Sequence, residues 1–151
     1  MINWYTDKNL NICFLNEPQI AIRYILPSMS AEEKKSVKMY PFINKISLEV
    51  IIEDKKKKKS YSFEIPKGYC FDGASVPRFF WRIIGSNTDN KFLVAAMVHD
   101  YMCENHGCIN SDRKLSTYVF NALLTVSEVG KFKRFLMKNS VDIFQRYFCH
   151  W

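Results

Sequence analysis

Two kinds of apolar spacing divide the chain. In the first half, apolar residues come in short β-prone runs. Asn11–Leu15 and Ile20–Leu26 are two of them, the second closed by Pro27. Ser30-Ala31-Glu32-Glu33 has the form of a capping box and predicts a short helix, which Pro41 should end. Ile46–Ile52 is rich in β-branched residues, and Tyr61, Phe63 and Ile65 alternate with Ser62 and Glu64. These two segments predict a β-hairpin with Lys55–Lys59 at its tip, its second strand ended by Ile65-Pro66-Lys67-Gly68. In the second half the spacing turns helical. Residues 92, 95, 96, 99, 102 and 103 mark one face of a helix over Asp89–Cys103, capped by Thr88 and ended by Asn105-His106-Gly107. Asp112–Leu124, capped by Asn110 or Ser111, is a second helix, and Glu128–Phe148 a third. The expectation is an α+β fold: a small N-terminal antiparallel sheet, then a three-helix C-terminal half, in a single domain over 1–151.

Composition narrows the class. With 151 residues and 48% hydrophobic content the chain can bury a core, and at 25% charged it does not read as disordered. No apolar run reaches membrane-spanning length, and the first residues lack the basic-then-apolar order of a secretory signal. A soluble protein of a reducing compartment is expected. Lys55–Lys59 supplies five of the net +7, and the remainder of the chain carries only +2. The high pI is thus local, which argues against nucleic acid as a partner. The lysine run reads either as a solvated turn or as a contact for an anionic surface. The five cysteines are odd in number and scattered, without a C-x-x-C pair. They read as reduced structural thiols rather than metal ligands.

Two segments carry candidate chemistry. Phe71-Asp72-Gly73-Ala74-Ser75-Val76-Pro77 combines a sharp Asp-Gly bend with a residue held extended before proline, and Phe79, Phe80 and Trp81 follow. It reads as a strand-to-helix connection with aromatic plugs, or as a loop whose oxygens face a site. His99-Asp100 sits on the predicted helix, with small Ala95 and Ala96 one turn before and Cys103 and Glu104 one turn after. His99 reads as a hydrogen-bonded core residue or, beside a carboxylate, as a general base. The expectation that joins the two segments is spatial: the Asp72–Ser75 loop packs beside His99 and Asp100.

Taken together, Ile65-Pro66-Lys67-Gly68-Tyr69, Phe71–Pro77, Ala95–Tyr101, Arg113 and Phe120 resemble the DUF1353 family of small phage and prophage proteins, over roughly residues 46–125. The resemblance implies a phage or prophage origin without supplying an activity. It also implies an Asp four residues after the arginine, where this chain has Thr117; Asp112, on another side of the helix, is a poor substitute. A more distant similarity is to prokaryotic phospholipases A2, whose loop and His-Asp helix are cysteine-bearing where Ala74 and Ala96 stand here. That similarity implies His99 as base and Ca²⁺ held by Asp100 and Asp72 with Gly73 and Ser75 of the loop. Thr117, in place of a supporting Asp, brings no charge to an imidazolium.

The expected function is therefore that of an accessory or virion-associated protein in the host cytoplasm. It binds a phage or host protein or a second copy of itself, and the aromatic end Phe144–Trp151 reads as a contact patch or as core. The alternative is a calcium-assisted ester hydrolase.

Overall fold

The computed structural model describes residues 1–72 and 90–126, together with residues 131, 134, 135, 138 and 139. Seven strands and four helices lie among the described residues. Strands β1 (Ile2–Thr6), β2 (Leu10–Phe14), β5 (Leu48–Asp54) and β6 (Lys59–Ile65) form an antiparallel sheet in the order β1-β2-β5-β6. Strands β3 (Ile20–Ile22), β4 (Phe42–Asn44) and β7 (Cys70–Phe71) form a smaller one in the order β3-β4-β7. Helix α1 (Ala31–Met39) lies between β3 and β4 in the chain, and α2 (Asn90–Glu104), α3 (His106–Ile109) and α4 (Arg113–Val126) follow the strands. The α+β class and the order sheet-then-helices are as the sequence predicts. The single predicted sheet is in fact two.

Period-two alternation builds the larger sheet. Leu10, Ile12 and Phe14 on β2, Leu48, Val50 and Ile52 on β5, and Tyr61, Phe63 and Ile65 on β6 are buried in one core with α2 and α4. Helix α4 packs on α2 and on β1. Helix α2 departs from the amphipathic reading. Every residue from Leu93 to His99 is buried, so it is enclosed on all sides.

Local chemistry sets the ends. The Ser30 hydroxyl accepts from the Glu33 N–H at 3.1 Å, and α1 stops at Tyr40, before Pro41. The strand predicted over Ile20–Leu26 is shorter, because the chain leaves the sheet at Arg23. The Arg23 guanidinium instead donates to the Tyr40 carbonyl at 3.0 Å and the Ser36 hydroxyl at 3.3 Å. The turn predicted at Asn105-His106-Gly107 does end α2, but His106 and Gly107 then enter the short α3. Asp112, rather than Asn110 or Ser111, caps α4: its carboxylate accepts from the Leu115 N–H at 2.6 Å. Thr88 and most of Glu128–Phe148 lie outside the described residues, although positions 131, 134, 135, 138 and 139 are helical.

The two sheets are joined through Asn44. Its side chain is fully buried at 0% exposure, and its amide donates to the carbonyls of Ile65 and Pro66, each at 3.1 Å. Its backbone N–H donates to Tyr69 O at 2.8 Å and its carbonyl accepts from Gly68 N–H at 2.9 Å. The turn so held requires glycine at 68, where φ is +92°. Aromatic contacts extend the tie. Tyr69 stacks on Phe71 with centroids 6.2 Å apart and meets Tyr101 of α2 edge-on at 5.2 Å. Asn44→Ala removes a donor from two carbonyls and should cost about 1–3 kcal/mol, read as a lower midpoint in urea unfolding. Asn44→Asp, which sets carboxylate oxygens against those carbonyls, should cost more. A midpoint unchanged in both variants would show that the amide is no tie.

Candidate functional site

His99 stands on α2 at 1% exposure, with its ring 5.0 Å from that of Phe120 on α4. The Cys103 sulfur, one turn on, is 3.6 Å from Nε2 and 3.9 Å from Nδ1. Distances so nearly equal place the sulfur between the two nitrogens rather than in line with either one. Asp100 Oδ1 approaches Nδ1 at 3.6 Å, beyond hydrogen-bond reach. Burial pushes the imidazole down to about 3, against the pull of the Asp72 carboxylate. The ring is therefore neutral near pH 7, and its approach to Asp100 is not an ion pair.

Acidic groups gather toward Tyr69. Its phenol is raised above its ordinary range by burial first, then by the charges of Asp100, Glu104 and Asp72. Burial also raises Glu104, helped by Asp72 and opposed by the Tyr69 hydroxyl. That hydroxyl is buried, and among the described residues its polar neighbour is the Glu104 carboxylate. Asp72 thus acts on both His99 and Tyr69, while Gly73 and Ser75, the other expected loop ligands, lie outside the described residues. Among the described residues no three His, Cys, Asp or Glu side chains come together as a metal site. Tyr69 is the neighbour that the sequence reading missed. It lies three residues before Asp72, and the turn at Gly68 is the signal that brings it back toward α2. Glu104 is four residues after Asp100, the spacing that puts two side chains on one helix face.

Thr117 is buried on α4, one turn before Phe120. Its hydroxyl donates to the Arg113 carbonyl of its own helix at 3.1 Å. A hydroxyl, unlike a carboxylate, supplies no charge to a histidine.

The lysine run forms a tight turn, closed by the Asp54 carboxylate, which accepts from the N–H groups of Lys56 and Lys57, each at 3.1 Å. Lys58 takes a left-handed backbone with φ +54°. Two of the five side chains fold back onto the protein. Lys55 Nζ donates to Asp7 O at 2.7 Å, and Lys57 Nζ pairs with Asp112 at 3.0 Å. Lys56, Lys58 and Lys59 are exposed at the tip. The Phe144–Trp151 stretch lies outside the described residues, and no described helix is long and apolar enough to cross a membrane.

The family model described as "Protein of unknown function (DUF1353)" matches residues 46–141. That span runs from β5 through α4, and so includes Tyr69, Asp72, His99 and Thr117. The uncharacterized protein y4jT of Sinorhizobium fredii is 48% identical over 40 residues. The matched stretch is 26% of this chain and only 12% of that protein. No solved structure matches the chain. Because the model covers more than half the sequence, including the turn that carries Asp72 and the whole His-Asp helix, the chain belongs to the DUF1353 family.

Proposed function

We propose that this DUF1353 protein is a phage- or prophage-encoded accessory protein that acts as a single domain by binding another protein. It works in the host cytoplasm and is carried into the particle. The observation behind this reading is a set of exposed apolar side chains at the end of β3, in the segment that follows it and at the end of α1. Tyr24, at 74% exposure, stands with Ile22, Ile25 and Leu26 in the open, and Met39 and Tyr40 at the end of α1 are exposed beside them. These segments are held together: Arg23 N–H donates to Pro41 O at 2.7 Å, and the Arg23 side chain ties onto the last turn of α1. Six large apolar residues on a fixed backbone favour a protein partner over solvent.

The histidine supports the same reading. An imidazole that is buried, neutral and covered by Phe120 and Cys103 is poorly placed to take a proton from a substrate water. One specific observation favours a second reading, a calcium-assisted ester hydrolase with His99 as base. Asp72 and Asp100, the two carboxylates which that chemistry needs, both act on Tyr69.

Three measurements test these readings. A photoreactive residue in place of Tyr24 should cross-link to a single partner in cells producing phage particles, whether a phage protein, a host protein or a second copy. The product should vanish in Ile25→Lys/Leu26→Lys without loss of melting temperature. The absence of any product, or its survival in that variant, would remove the binding reading.

The second measurement uses His99. It takes its proton near 6.5 when unfolded and near 3 when folded. Between these values the unfolded chain holds more protons. Stability is therefore full above pH 6.5 and falls as the pH drops through the window, by up to about 1.4 kcal/mol per pH unit. His99→Leu should flatten that part of the profile. Parallel profiles for the two proteins between pH 6.5 and 4 would show a ring that charges freely and is open to water.

The third is a calcium titration. Under the binding reading, millimolar Ca²⁺ leaves the melting temperature unchanged. A saturable rise that is absent in Asp100→Asn would favour the hydrolase.

A further inference from the structure

Three turns meet at one end of the larger sheet. The β1–β2 turn carries Lys8, the β5–β6 turn carries the lysine run, and the start of α4 carries Lys114. Direct contacts hold them together. Lys55 N–H donates to Asn9 O at 2.9 Å, Lys55 Nζ reaches Asp7 O, and Lys57 pairs with Asp112. The nearby acids are committed to the protein itself. Asp7 accepts from Asn9 N–H at 2.6 Å and Leu10 N–H at 2.7 Å. Asp54 accepts from the lysine turn and Asp112 from Leu115 N–H. Asp7 and Asp112 both sit below the usual carboxylate range. For each, partial burial works against ionisation and is outweighed by these hydrogen bonds and by the neighbouring lysine. What this end presents outward is Lys8, Lys56, Lys58, Lys59 and Lys114, all exposed.

We infer that this end of the molecule binds the surface of an anionic phospholipid bilayer. Lys8, Lys56 and Lys58 stand in turns, and Lys59 and Lys114 at the adjoining starts of β6 and α4, a cluster at one end that suits a plane of charge. Asp7–Asn9, Asp54–Lys59 and Asp112–Lys114 contain no aromatic residue on which a base could stack. They also contain no large apolar side chain, so the protein rests on the headgroups without a wedge. Lys55 and Lys57 act differently from the other three lysines of the run: they brace the tip, and Lys56, Lys58 and Lys59 make the contact.

Co-sedimentation with vesicles of phosphatidylcholine containing 30% phosphatidylserine tests this, with pure phosphatidylcholine vesicles and random-sequence duplex DNA as parallel probes. The full chain should pellet with the anionic vesicles at low salt, stay in solution with the neutral ones, and release in 0.5 M NaCl. Lys56→Gln/Lys58→Asn/Lys59→Gln leaves both bracing contacts in place and puts asparagine at the left-handed position. It should weaken partitioning on the order of 100-fold, the loss expected for three lysines near the headgroups. Binding unchanged in this variant, no binding to anionic vesicles, or tighter retention on DNA than on vesicles would each overturn the inference.

Discussion

The buried amide of Asn44 is the constraint on which the arrangement depends. It is an element of β4, yet its side chain binds the end of β6, and its backbone holds the turn that leads into β7. Burying an amide is costly unless hydrogen bonds replace water. Here the two side-chain donor bonds and the two backbone bonds offset part of that cost and fix the path of residues 65–69. Glycine at 68 follows from the same path, because the positive φ that closes it is disfavoured for residues with a Cβ. The outcome is positional: Tyr69 and Asp72 are delivered to the side of α2 that carries Asp100 and Glu104.

The character of His99 is decided by competition between two electrostatic effects. Nearby carboxylates favour a charged ring, and removal of water disfavours it. Helix α2 is surrounded by the sheet and by α4, and desolvation wins. Thr117 fits this balance. Its hydroxyl, which donates to its own helix, brings no negative charge, where a carboxylate would favour an imidazolium. His99 is thus, in this chain, a neutral imidazole enclosed in the core.

Charge at the lysine turn follows a different logic. The lysine turn exists because Asp54 organises its backbone and because Lys55 and Lys57 are anchored to neighbouring turns. A block of like charges repels itself, and here part of that repulsion is relieved by drawing alternate side chains back onto acceptors. The remaining lysines stay outward on a rigid support.

Much of the fold was legible in local patterns. Alternation over Tyr61–Ile65, the β-branched run before the lysines and the Ser30 capping box each report a backbone choice that neighbouring residues make among themselves. The family, too, could be read from the order of short motifs. The strands β1, β4 and β7 escaped notice, since two of them are very short and gain their stability from pairing with distant partners. The cap at Asp112 was misplaced for a related reason: several polar residues precede α4, and which one turns inward depends on the chain's path out of α3. At the candidate site the sequence determined which groups are present, and tertiary structure decided their state. Burial is a property of everything packed around a residue. The neutrality of His99, the role of Asn44 and the division of labour among five adjacent lysines therefore arose only once sheets and helices were assembled.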